Sequence, residues 1–139
     1  MIRAVVFDCD GVLSDNGSSW QMIHRSFGTG EDDGGEHREA LEMFLEGKIS
    51  EEEFVAHDIK LWREVRPEIH RDDIMRCYSG VGLIDGARKV VENLKRREIF
   101  VAIVSSGVDI FVGAIANMLK VDDWVANGFE WDDEGFLLG

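Results

Sequence analysis

Apolar residues fall along this chain in two rhythms. Ala4 to Phe7 and Ile99 to Val104 are unbroken apolar runs rich in β-branched and aromatic side chains. Such runs predict strands covered on both faces. A third strand is expected over Val121 to Ala126. Elsewhere the apolar positions recur at helical spacing. Trp20, Ile23 and Phe27 mark one short helix, and Leu41, Phe44 and Leu45 mark a second over Glu36 to Glu46, stopped by Gly47. Ser50 followed by Glu53 is a capping box, and it opens a helix carrying Phe54, Val55, Leu61, Trp62 and Val65 that Pro67 ends. Further helices are expected over Glu68 to Tyr78, over Gly86 to Arg97 with Ala87, Val90, Val91 and Leu94 inward, and over Asp109 to Leu119. Large apolar residues around the acidic turn Asp132-Asp133-Glu134-Gly135 predict a closing β-hairpin.

This order of elements predicts an α/β fold with a Rossmann-like parallel sheet interrupted by helices. Residues 1–15 and 80–139 are expected to form the sheet domain, and residues 16–79 a small helical insertion. Gly28 to Gly35 reads as an exposed loop. Its acid run lacks the residue order of an EF-hand. The four histidines, His24, His37, His57 and His70, are scattered through the helices and read as surface residues.

Two strand ends carry candidate chemistry. The first strand runs into Asp8-Cys9-Asp10-Gly11. Alternate residues of an extended segment face the same way, so Asp8 and Asp10 can share one site, and Gly11 allows a sharp turn. In parallel sheets the ligand site lies at the carboxyl ends of the strands. Two close carboxylates repel, and a hard cation such as Mg2+ relieves the repulsion, which makes Asp8 and Asp10 the candidate metal ligands. A plain strand-to-helix turn would also use an Asp pair. The second apolar strand ends in Ser105-Ser106-Gly107 ahead of a helix. Hydroxyl and backbone N–H groups there suit a phosphate, and together with Gly11 they form the candidate phosphate-binding set. Alone, the two serines would read as helix caps.

Composition narrows the partners. The chain has 139 residues and a net charge of −13, from 15 basic and 28 acidic residues. That argues against nucleic acid and anionic membranes, but not against a phosphorylated small molecule held near a local cation. Cys9 and Cys77 form no metal pattern, and no apolar run approaches membrane-spanning length. Reduced thiols in a cytoplasmic protein are the expectation.

Asp8-Cys9-Asp10-Gly11-Val12-Leu13 after an apolar strand resembles the first motif of the haloacid dehalogenase (HAD) superfamily. Ser105 occupies the position of its second motif. The resemblance implies a Mg2+-dependent phosphatase in which Asp8 is the nucleophile and Asp10 the general acid/base, with the helical insertion as the cap. The texture from Val101 through Asn127 to Gly139, and Gly47-Lys48-Ile49-Ser50, is similar to the phosphoserine-phosphatase-like branch. Gly17 and Ala56 stand where that enzyme's substrate-gripping Glu and Arg would be, which favours another small phosphomonoester. The family also implies a downstream lysine and further acids. Lys120, Asp122-Asp123 and Asp132-Asp133 are in the wrong places for them, so the HAD core is expected to be incomplete at its C-terminal side. A longer chain, a second copy or a complementing chain would then cover the Ala4–Phe7 strand. The alternative is an inactive HAD-like module that binds a phosphorylated ligand or a partner. Substrate identity and oligomeric state are not legible here.

Overall fold

A computed structural model describes residues 1–30 and 35–139. Three of the acids of the Gly28–Gly35 loop, Glu31, Asp32 and Asp33, lie outside the described residues. The elements run β1 (Ala4–Phe7), α1 (Ser19–Phe27), α2 (Glu36–Leu45), α3 (Glu51–Val65), α4 (Arg71–Arg76), α5 (Ala87–Arg96), β2 (Phe100–Val108), α6 (Asp109–Leu119) and β3 (Asp123–Asn127). The chain divides into two compact units.

The first unit comprises Met1–Trp20 and Tyr78–Gly128. Its sheet is parallel throughout, ordered β1-β2-β3, so the α/β expectation holds. Helices α5 and α6 pack on it. Val101 and Ile103 are fully buried on the covered face, as are Val91 of α5 and Val112 of α6. Val90, expected inward, is exposed: α5 buries only Ala87 and Val91.

The sheet departs from the expected double coverage. Parallel register puts Val6 beside Ala102 and Val104 beside Val125, and alternation places these residues on the face opposite Val101 and Ile103. That face is bare: Val6, Val104 and Val125 are 60%, 55% and 60% exposed. Among the described residues β1 pairs only with β2 and forms one edge of the sheet. An apolar run reports what a strand would bury, not whether anything covers it.

The second unit comprises Gln21–Cys77 and Phe129–Gly139. Ile23, Ile59, Trp62, Ile69 and Ile74 form its core. Ser50 caps α3, its hydroxyl accepting from the Glu53 N–H at 3.1 Å. Helix α4 starts later than the spacing predicts, because His70 and Asp73 form a capping box that sets its first turn. The sequence reading put residues 129–139 with the sheet. They group instead with the helices, because Leu137 N–H donates to the Ile69 carbonyl at 2.8 Å, Arg63 donates to the Leu137 carbonyl at 2.9 Å, and Phe129 packs edge-on against Trp62. The hairpin shrinks to a single Trp131–Leu137 bridge around the turn. No described helix is long and apolar enough to cross a membrane.

Candidate active site

The site is built at the carboxyl ends of β1 and β2. Phe7 pairs with Ile103, so Asp8 lies one residue beyond that pair on β1 and Ser105 two residues beyond it on β2. After Asp8 the chain folds around one carbonyl: Cys9 O accepts from the N–H groups of Val12 and Leu13 at 3.0 and 2.9 Å, and from the Ser14 hydroxyl at 3.2 Å. Gly11 takes φ +72°, a conformation that costs glycine little. The loop is then tied down by Ile84 N–H to Leu13 O, Asp15 N–H to Gly82 O, and Gly82 N–H to the Asp15 carboxylate. The Cys9 thiol is fully buried inside this turn. Burial, then the charge of Asp10, pushes its pKa up to about 12, so it is a neutral packing group and not a nucleophile.

Asp8 and Asp10 occupy different environments. Asp8 is exposed, with one carboxylate oxygen accepting the Cys9 N–H at 2.7 Å. Asp10 is half-buried, and its Oδ2 accepts two hydrogen bonds from Ser19, from the main-chain N–H at 2.8 Å and from the hydroxyl at 2.7 Å. Its Oδ1 is buried and has no hydrogen-bond partner among the described residues. Ser19 Oγ in turn accepts the Val108 N–H at 2.9 Å, and Tyr78 Oη donates to the Ser19 carbonyl at 3.2 Å. Ser19 is fully buried.

The stretch Ser105-Ser106-Gly107 divides its work in a way the sequence does not reveal. It lies inside β2, which runs on to Val108. Ser105 is buried, and its Oγ accepts the Gly107 N–H at 3.0 Å, so that amide is already engaged rather than open to an anion. Ser105 keeps its own hydroxyl proton for donation. Ser106 is exposed, and its carbonyl accepts from Trp20 Nε1 at 2.9 Å and Asn127 Nδ2 at 2.8 Å. Gly107 works by being small: a Cβ there would stand 2.9 Å from both Asp10 Oδ2 and Ser19 Oγ. The structure thus joins Asp10, Gly107 and the Val108 N–H around Ser19, which sequence reasoning missed, with Ser105 bonded to the Gly107 amide. A serine just before an amphipathic run reads as a local cap, whereas this one is held by an acid nine residues upstream.

A model of the haloacid dehalogenase-like hydrolase family matches residues 2–136. The chain is 27% identical over 137 residues to a phosphoserine phosphatase of Archaeoglobus fulgidus, covering 99% of this chain and 37% of that protein. It is 30% identical over 125 residues to a phosphoserine phosphatase of Methanocaldococcus jannaschii, covering 90% of this chain and 55% of that protein. A solved phosphoserine phosphatase carrying a phospho-aspartyl intermediate analogue superposes with a TM-score of 0.69 at 25% identity, over 98% of this chain and 60% of that one. The phosphoserine phosphatase of T. onnurineus gives a TM-score of 0.65 at 27% identity, over 100% of this chain and 63% of that one. The chain therefore spans between about a third and two thirds of the length of these relatives.

Proposed function

We propose that this chain, which belongs to the haloacid dehalogenase-like hydrolase family, carries the phosphoryl-transfer centre of a phosphatase acting on a small phosphomonoester. The observation that carries this reading is the unequal treatment of two neighbouring carboxylates. Asp8 is exposed and available to attack, whereas Asp10 is held by Ser19 through one oxygen and keeps the other unpaired. A nucleophile and a positioned acid/base are what a two-step displacement requires.

In the first step an Asp8 carboxylate oxygen attacks phosphorus, the ester P–O bond breaks, and the leaving alkoxide takes a proton from Asp10. In the second, Asp10 removes a proton from water as that water attacks the aspartyl-phosphate, returning Asp8 and releasing phosphate. Oδ1 is the atom of Asp10 that gives and takes the proton, because Oδ2 is committed to Ser19. The Ser105 hydroxyl donates to a phosphoryl oxygen, and Ser106, Gly107 and Gly11 shape the loops around it.

The donors on hand suit Mg2+. Exposed Asp8 offers a hard carboxylate oxygen and Asp10 a main-chain carbonyl, the donor type that this ion prefers. When bound, Mg2+ supplies the charge neutralisation that lets a carboxylate approach a phosphate. Both cysteines are free thiols, which supports a reducing, cytoplasmic setting.

The names of the relatives suggest phosphoserine. Gly17 and Ala56 offer neither an acid nor a base to grip an amino acid, which favours a different phosphomonoester. The test is hydrolysis of an aryl phosphate with and without Mg2+, by the wild type and by Asp8→Asn, with phosphoserine as a competing substrate. Mg2+-dependent turnover abolished by Asp8→Asn is expected. Turnover retained at the wild-type rate in the variant overturns the assignment.

A further inference from the structure

The second unit contains a polar cluster that the phosphatase reading does not use. Helices α1, α2 and α3 each contribute one residue: His24, His37 and Asp58, which are 0%, 5% and 2% exposed. The two histidines were expected on the surface. His37 Nδ1 lies 2.8 Å from Asp58 Oδ1, His24 Nε2 lies 3.2 Å from Asp58 Oδ2, and the two imidazole rings are 4.0 Å apart between centroids.

We propose that His24, His37 and Asp58 form a binding site for a transition-metal ion of the Zn2+ class. Three features support it. The donor atoms all lie within 4.8 Å of one another. A tetrahedral zinc with bonds of about 2.0–2.1 Å holds neighbouring donors about 3.3 Å apart, close to the His24–Asp58 spacing. Next, His24 Nε2 is buried and faces the Asp58 carboxylate at 3.2 Å, so both imidazoles converge on one acid. Finally, all three side chains are buried, so an ion there would be shielded from bulk water. The cluster offers one carboxylate and two imidazoles, and the nitrogens select Zn2+, Co2+ or Ni2+ over Mg2+.

The surroundings fit that use. Thr29 Oγ1 lies 2.8 Å from His24 Nδ1, and Trp62 Nε1 donates to the same nitrogen at 3.2 Å, which places the ring proton on Nε2. Metal uptake at Nε2 moves that proton to Nδ1, where Thr29 Oγ1 accepts it and the indole N–H gives up its bond to that nitrogen. Among the described residues, Thr29, Gly30 and His37 border a surface depression of about 220 Å3. Three protein ligands leave the fourth position for water.

The test uses the full chain stripped of metal with a chelator. Adding Co2+ is expected to give the visible absorption of a tetrahedral ion at one equivalent, and Zn2+ to abolish that absorption and raise the melting temperature. Mg2+ should do neither. His37→Ala and Asp58→Asn should lose the spectrum, and Asp8→Asn should keep it, which separates this site from the proposed phosphatase centre. Because the wild-type spectrum is read directly, the proposal does not depend on those variants folding. Absence of both the Co2+ spectrum and the Zn2+ stabilisation in the wild type overturns it and leaves the cluster as two imidazoles hydrogen-bonded to one carboxylate. A spectrum lost in Asp8→Asn instead of His37→Ala also overturns it.

Discussion

Ser19 grips a single oxygen of Asp10 with both its amide and its hydroxyl, at 2.8 and 2.7 Å, while its own Oγ is fixed by the Val108 N–H. The serine is therefore a hinge-pin between the loop after β1 and the end of β2. Replacing it by alanine removes one bond to Asp10 and strands a buried N–H. Ser19→Ala is expected to lower kcat on an aryl phosphate about 10- to 100-fold with little change in KM, since general acid/base work contributes about 10²–10⁴. It should also destabilise the protein by about 1–3 kcal/mol for the unsatisfied amide. Steady-state kinetics and urea unfolding on one preparation check both figures. A fall in KM-related binding with kcat intact would point to a purely structural role.

Gly107 faces the same pair from the other side. A methyl group there meets Asp10 and Ser19 oxygens at 2.9 Å, below any ordinary contact distance. Gly107→Ala is expected to push Asp10 aside and reduce turnover about 100-fold, the scale of a 1 Å misplacement. Circular dichroism should report an unchanged fold. Activity within twofold of the wild type would mean that the carboxylate does not need its observed place.

The sheet makes a two-sided prediction. Ile103 is fully buried, and its neighbour Val104 is 55% exposed. Ile103→Ala should cost about 2–5 kcal/mol in denaturant unfolding, whereas Val104→Ala in the chain by itself should cost almost nothing. If polypeptide covers the bare face in the cell, Val104→Ala will weaken that association instead, measurable by co-purification.

Acid stability should report on Asp73. Burial alone would raise its pKa. The His70 N–H and then the Arg66 and Arg76 guanidinium groups outweigh burial and hold the carboxyl below its usual value. A depressed folded-state pKa adds stability that is fully present above the unfolded value of about 3.9 and is lost as pH falls through the lower folded value. The unfolding free energy of the wild type should therefore decline across that window, and Asp73→Asn should flatten this part of the profile. Identical slopes for the two proteins would remove Asp73 from the account.

Much of the fold was legible because its elements announce themselves locally. The Ala4–Phe7 strand and the Asp109–Leu119 helix sit where periodicity puts them, and Asp8 and Asp10 follow the end of β1 as expected, whereas Ser105 lies inside a longer β2. What escaped is non-local. Ser19 is defined by Asp10, His24 and His37 by Asp58, and the tail from Phe129 by Arg63 and Ile69. Each looks like an ordinary cap, surface histidine or hairpin until its distant partner is known. The engaged amide of Gly107 belongs to the same class, since the spacing of Ser105 and Gly107 does not say which of them uses the other.

The row of valines on the uncovered side of the sheet makes the manufacture of this protein a question of timing. From the moment β1, β2 and β3 align, Val6, Val104 and Val125 present a greasy stripe to the solvent. Surfaces of that kind recruit chaperones and drive clumping as concentration rises. Slow synthesis in a recombinant host should therefore give more soluble chain than fast synthesis, because the bare face drives association as concentration rises.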